Sequence, residues 1–295
     1  MSIATAGYQV TDEQVAHYRD QGYLVIEGLI GPDEIADLRT DILKLARGGY
    51  PCPNLDPLPA GIDDDEALSR VLCLHQPHRI SPVIRHFCEH PSIAAVLAKV
   101  VAAHLPADWW DGSVKCMQSM FFAKGPGKPG QAWHQDEIYI PTRDRSLAGA
   151  WIAVDDANID NGCLWVLPGS HRRGVLYEQR DHNSEHFDSA QESFGFDDSD
   201  EVPVEVPAGS VVFFNGYLLH RSKPNHTRDR YRRALVNHYM SSASLLPWSS
   251  DQNGVGIARS DCRAVFQVAG EDPYAAKGYV EDINEVHLRA EGSAH

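Results

Sequence analysis

From about residue 110 onward the chain is a succession of short apolar runs, each cut off by Gly, Pro, Asn or Asp. Segments 114–123, 132–140, 148–154, 163–167, 202–206, 210–214, 217–220 and 231–240 carry the β-branched and aromatic residues typical of strands. Strands this short and closely spaced leave little room for crossover helices between them. They argue against an alternating βαβ layout and predict a mainly β fold, an antiparallel double sheet or jelly roll. Segment 177–201 breaks the pattern: it is rich in acids, has one arginine and no lysine, and is too long for a simple turn. An insertion of that length is either a lid or binding loop, or a solvated surface loop.

The first third has a different texture. Thr11-Asp12-Glu13-Gln14 fits a capping box that opens a helix, Gly22 ends it, and Tyr23-Leu24-Val25-Ile26 follows as a short strand. Gly31-Pro32 opens a second helix with Ile35, Leu38, Ile42 and Leu45 at helical spacing and Gly48-Gly49 as its stop. Proline-rich 50–66 reads as a loop and 91–104 as a further helix. The expected layout is one domain over 1–295. Helices fill about 8–110, the β core about 111–242, and a C-terminal extension 243–295.

Charge and cysteine usage narrow the partners. A net charge of -15 opposes non-specific nucleic-acid binding and docking on an anionic membrane. No apolar run reaches membrane-spanning length, and Met1–Gly7 lacks a basic-then-apolar signal pattern. The six cysteines are scattered without a CxxC pair, as expected for reduced thiols of a cytoplasmic protein. The expected partner is a small molecule. Oligomeric state is not legible.

Within the β half, His134-Gln135-Asp136 carries the chemistry. Side chains alternate along an extended strand, so His134 and Asp136 aim an imidazole nitrogen and a carboxylate oxygen to one side while Gln135 faces away. A second histidine, His220, follows the apolar runs 211–214 and 218–219 and is read as closing a strand. Two histidines and one carboxylate on one face suit a non-haem Fe(II) that keeps open positions. The same set can hold Zn2+ for hydrolysis. Beyond His220, Arg232 has the parity of Ala234 and Val236, and Arg233 points the other way. An arginine directed into an apolar barrel requires an anion, such as one carboxylate of a dicarboxylic cosubstrate. Strand parity separates the two arginines without choosing between them. On segment 115–123, Cys116, Gln118, Met120 and Phe122 share a face, and Gln118 is either a ligand-orienting group or a buried, backbone-satisfied glutamine. Gly149, Trp151 and Ala153 share a face of 148–154, with room beside the indole or simply a core tryptophan.

Taken in order, these motifs resemble the phytanoyl-CoA dioxygenase (PhyH-like) family of Fe(II)- and 2-oxoglutarate-dependent oxygenases, from about Val10 to Met240. The landmarks are Gly22-Tyr23-Leu24-Val25-Ile26, Trp133-His134-Gln135-Asp136, Ala150-Trp151-Ile152-Ala153, Asn161-Gly162-Cys163-Leu164, Pro168-Gly169-Ser170-His171, and His220-Arg221-Ser222 with Arg232. The resemblance implies a double-stranded β-helix (jelly roll, cupin-like) with flanking helices and iron held by His134, Asp136 and His220. It implies that Arg232 and Ser222 bind the distal carboxylate of 2-oxoglutarate, with Gln118 and Trp151 lining the same pocket. The family more often has glycine where Arg221 stands, and its run at Arg232-Arg233-Ala234 favours Arg232 over Arg233. The implied reaction consumes 2-oxoglutarate and O2, releases succinate and CO2, and hydroxylates a C–H bond of a small molecule. Related halogenases vacate the carboxylate position, so Asp136 argues for oxidation without halogen transfer. The alternatives are a zinc-dependent hydrolase on the same His/Asp/His site, for which the buried arginine has no role, and a non-catalytic ligand-binding protein on the same barrel. The acidic insertion offers little to the phosphates of a CoA ester.

Overall fold

The computed structural model describes residues 8–106, 108–245, 265–279 and 282–289. Met1–Gly7, without a signal pattern, and Cys262, one of the six cysteines, lie outside them.

Helix α1 (Asp12–Gln21) has the expected capping box: Thr11 Oγ1 accepts from the Gln14 N–H, and Gln14 Oε1 accepts from the Thr11 N–H. Gly22 ends it at φ 84° in the left-handed region. A side chain there would strike the His171 ring, whose Nε2 bonds Arg19 O, so this glycine allows the 3-10 turn at 170–173 to seat against the helix. Strand β1 (Tyr23–Ile26) and helix α2 (Pro32–Ala46) follow. On α2, Leu38, Ile42 and Leu45 are fully buried, as their spacing predicts.

The interval expected to be loop throughout ends in helix α3 (Asp64–Ser69), because Asp63 caps the Glu66 N–H at 2.7 Å. Strand β2 (Cys73–His75) and helix α4 (Pro82–Cys88) are additions to the sequence expectation. Helix α4 is opened by a Ser81 cap and Pro82 in its first turn. Helix α5 (Pro91–Val100) stops short of the predicted 104.

The β half contains strands β3 (Val114–Lys124), β4 (Gln131–His134), β5 (Ala148–Ala153), β6 (Leu164–Val166), β7 (Gln179–Arg180), β8 (Glu192–Ser193), β9 (Val202–Val204), β10 (Val211–Asn215), β11 (His220–Ser222), β12 (Arg232–Ser241), β13 (Phe266–Ala269) and β14 (His287–Arg289). The major sheet runs β1-β10-β5-β12-β3-β2-β14, with β13 also on β3, and the minor sheet runs β4-β11-β6-β9. Their strand pairs are antiparallel, giving the mainly β jelly roll with flanking helices.

Period-two alternation divides the major sheet between two cores. Ala148, Ala150, Ile152, Val211 and Phe213 face the helices, among Leu38, Ile42 and Leu97. Trp151, Ala153, Val212, Phe214, Ala234 and Val236 face the minor sheet and meet Leu164 and Val166.

Three local expectations need correction. Segment 132–140 is a strand only to His134, since the N–H groups of Tyr139 and Ile140 turn back to Asp136 O. Segment 217–220 is mostly a turn: the Tyr217 N–H donates to Asn215 Oδ1 at 2.9 Å and the Leu218 N–H to Asn215 O at 2.8 Å. His220 therefore opens a strand rather than closing one. Cys116 does not share the face of Gln118, because a register shift opposite His238 and Tyr239 turns it into the helix-side core.

Candidate active site

The minor sheet brings His134 and His220 together despite their separation in sequence. They are directly opposed in the β4–β11 register, with ring centroids 4.1 Å apart. Gln135 continues the extended backbone for one residue (φ -129°, ψ 126°), so Asp136 returns to the side of His134 although the strand has ended. One ligand atom from each of His134, Asp136 and His220 falls within 4.8 Å of the others. Asp136 Oδ1 stands 3.7 Å from His134 Nε2 and 3.6 Å from His220 Nε2.

Both histidines are set as ligands by their other ring nitrogen. His134 Nδ1 bonds Ala132 O at 2.8 Å and His220 Nδ1 bonds Leu218 O at 2.9 Å. A carbonyl accepts only, so each Nδ1 carries a proton and each Nε2 is the ring atom left to bind a metal beside Asp136. Burial opposes the Asp136 charge, but His220, His238 and His134 outweigh it and hold the carboxyl below the usual range. Three converging donors, two neutral imidazoles and one carboxylate, fit a divalent metal with open positions. Gln135 has other work: its amide bonds Val175 O, Tyr217 O and the Tyr177 N–H, tying the strand to two neighbouring loops.

His238 was not singled out by the sequence reading. It shares the cavity-facing parity of Arg232, and its Nε2 lies 2.9 Å from Asp136 Oδ2, the oxygen turned from the histidine pair. Such partners orient a metal ligand and raise its basicity. His238→Ala is expected to weaken metal binding by about 10–100-fold. A competition titration of Fe(II) or Zn(II) against a chelator measures this.

A cavity of about 610 Å³ opens beside the triad, within the size range of small-molecule sites. Its long wall is the β3–β12 pair. Lys124 lies opposite Arg232, Phe122 opposite Ala234, Met120 opposite Val236 and Gln118 opposite His238. Gln118 thus lines the cavity near the metal ligands, and Arg232 lies at the far end of the same wall. Trp151 is opposite Val236 on β5, with the Arg232 guanidinium 5.5 Å from its ring. Arg233 points out of the cavity and grips Asp155 through two bonds of 2.7 Å.

The far end is cationic. Arg232 is 4% exposed, its Nε has no partner, and no carboxylate lies within 4 Å of it among the described residues. Burial lowers its pKa to about 10. Lys124, one residue past the predicted strand end, donates to Ser222 Oγ and Lys223 O at 2.7 Å each. Burial first, and Arg232 second, push its ammonium well below the ordinary lysine range. Two buried cations facing each other without an anion are costly unless a ligand supplies one. This end therefore fits a carboxylate, with the Ser222 hydroxyl beside it.

The near wall is formed by β2 and β14, with His75 opposite Met120 and His287 opposite His75. Over it passes the insertion. The Gly130 N–H bonds His186 O and the Asp188 N–H bonds Gly130 O, both at 2.8 Å, and Asp188 pairs with Arg289 of β14.

A jelly roll holding a two-histidine, one-carboxylate centre beside a buried cationic pocket fits a class: the non-haem iron oxygenases that use 2-oxoglutarate and O2. A family model, Phytanoyl-CoA dioxygenase (PhyH), matches residues 18–234. The chain belongs to that family. It is 29% identical over 274 residues to a phytanoyl-CoA dioxygenase of Arabidopsis thaliana, covering 82% of this chain and 92% of that protein. Among solved structures, it resembles the carbocyclase SnoK from nogalamycin biosynthesis (TM-score 0.58, 24% identity, 83% and 89% covered). It also resembles EvdO2 from Micromonospora carbonacea var. aurantiaca complexed with 2-oxoglutarate (TM-score 0.60, 22% identity, 84% and 97% covered). Among the described residues, no helix is long and apolar enough to cross a membrane.

Proposed function

We propose that the protein hydroxylates an unactivated C–H bond of a small molecule, with His134, Asp136 and His220 holding Fe(II) and Arg232 anchoring 2-oxoglutarate. The observation that carries this reading is the coexistence, in one cavity, of a converging triad and a buried Arg232 with no carboxylate partner among the described residues. A zinc hydrolase needs the first and has no use for the second.

In this reading the chain's residues bind, orient and exclude water. Arg232 and Lys124, with the Ser222 hydroxyl beside Lys124, would receive the distal carboxylate through charge-assisted bonds. Gln118 and Trp151 line the same cavity between that end and the triad and would bound the cosubstrate when it is held there. Bound iron with 2-oxoglutarate and O2 supplies the oxidising power, with succinate and CO2 as by-products. His238 keeps Asp136 in one orientation. The insertion 177–201 serves as a lid, held by the Asp188–Arg289 pair, with Phe122, Met120 and Leu164 keeping the chamber apolar. The retained Asp136 favours hydroxyl transfer over halogenation.

A screen of small-molecule classes for substrate-dependent succinate release, with Fe(II) and 2-oxoglutarate supplied, tests this function. Release together with a product heavier by one oxygen is expected. Release with an unoxygenated, rearranged product would keep the oxygenase class and reject hydroxylation.

A further inference from the structure

The strands that carry the site have a second face. Period-two alternation turns His134, His220 and Ser222 toward the cavity, so Trp133, Leu219 and Arg221 point away from it. On that outer face Trp133, Leu219 and Leu167 form a small core, with Tyr177 and Phe196 of the insertion packed on it. Two acids near the end of the insertion grip the same face. Glu201 Oε2 accepts from Arg221 Nε at 2.9 Å, and its Oε1 from Lys223 Nζ at 2.8 Å. Asp198 Oδ2 accepts from Trp133 Nε1 at 2.9 Å, and the Arg221 guanidinium lies over the Trp133 ring at 4.5 Å. The Arg221 and Glu201 side chains are 15% and 18% exposed, so their pairing is largely shielded from solvent.

This grip falls where the backbone ladder is irregular. His220 is opposite His134 but Ser222 is opposite Gln131, so two steps along β11 match three along β4. Such a bulge re-aims the side chains beside it and disrupts the local ladder. Trp133 precedes His134 and Arg221 follows His220, so the residues held from outside are the chain neighbours of both imidazole ligands. The hold also reaches the cationic end of the cavity. Glu201 binds the Lys223 ammonium, while the Lys223 carbonyl accepts from the buried Lys124 Nζ, which also donates to Ser222 Oγ. Where the family more often has glycine, Arg221 supplies a side chain that the acidic insertion can hold.

We propose that Glu201 and Asp198 are positioning residues: from outside the barrel they hold the bulged β4–β11 pair, and with it the aim of His134 and His220 and the Ser222–Lys124 end of the pocket. This rests on the metal and 2-oxoglutarate reading of the same cavity. Acids that merely fastened the insertion would leave the metal centre unchanged when released.

The test loads each protein anaerobically with Fe(II) and titrates 2-oxoglutarate while recording the visible charge-transfer band, with Tm as a separate report on the fold. Glu201→Gln keeps the side-chain shape and removes the charge. It should raise the Kd for 2-oxoglutarate about fivefold or more, the upper scale of one partly exposed ion pair, and move the band maximum, because the ligands are re-aimed. Glu192 is the control, an insertion acid that pairs with Arg180 rather than with β4 or β11. Glu192→Gln removes the same charge and should match wild type in band and Kd. Trp133→Phe keeps the ring against Phe196, loses the Asp198 bond and should also move the band; it carries the test if Glu201→Gln does not fold. A folded Glu201→Gln or Trp133→Phe with the wild-type band and Kd would overturn the role given to Glu201 or Asp198 respectively. Shifts as large in Glu192→Gln would overturn both. A wild-type protein that forms no band defeats the oxygenase reading and this inference with it, whereas a wild-type band with indifferent variants defeats this inference alone.

Discussion

Asp136→Ala is expected to abolish succinate formation and the Fe(II)–2-oxoglutarate complex while leaving the fold intact. The carboxylate is the one anionic ligand of the triad, and its Oδ1 lies between the two imidazole nitrogens at 3.7 and 3.6 Å. Without it two neutral imidazoles remain, a set too small to hold a divalent ion in one orientation. His238 also loses its acceptor, so the loss should exceed that of His238→Ala. The β4–β11 register, the Gln135 bonds and the Nδ1 bonds of both histidines do not involve Asp136. Circular dichroism and Tm should therefore stay near wild type while activity falls below detection. Retained activity would remove Asp136 from the triad.

Arg232→Met should move binding and stability in opposite directions. In the complex, removing one partner of a buried charge-assisted pair costs about 2–5 kcal/mol, so the Kd for 2-oxoglutarate should rise roughly 30-fold or more. In the cosubstrate-free protein, Arg232 is a buried cation opposite Lys124 with no acid partner among the described residues. Replacing it by an apolar side chain of similar length should leave stability unchanged or raise it by up to about 4 kcal/mol. Calorimetric titration of 2-oxoglutarate and thermal melts with and without it measure both effects. A variant destabilised without ligand yet binding 2-oxoglutarate normally would make Arg232 a structural residue.

Much of this centre is local enough to be legible in the sequence. His134 and Asp136 are two residues apart on extended backbone, and period-two parity needs no tertiary knowledge. Arg232 and Arg233 could be separated by parity in the same way, and the structure puts Arg232 in the cavity and Arg233 on Asp155. The helix boundaries set by Thr11, Gly22 and Pro32 rest on caps and a φ > 0 glycine, which are equally local.

What stayed hidden depends on register. His220 meets His134 because β11 pairs with β4, and no local signal states that pairing. The turn after Asn215 lies within an apolar run, so 217–220 resembles strand. Cys116 changed faces through a register shift that only the partner strand reveals. Lys124 reads as the polar end of a strand until Arg232 is seen opposite it. Gln76 and β14 complete the cavity from segments without periodicity, β2 and β14 having three residues each.

The proposed oxygenase function requires one pocket that holds both iron and 2-oxoglutarate. Anaerobic addition of Fe(II) and then 2-oxoglutarate to the metal-free protein tests this most directly. A visible metal-to-ligand charge-transfer band should form at one equivalent of each, be absent in Asp136→Ala, and require more 2-oxoglutarate in Arg232→Met. No band in the folded wild-type protein, or a band indifferent to both substitutions, would contradict it.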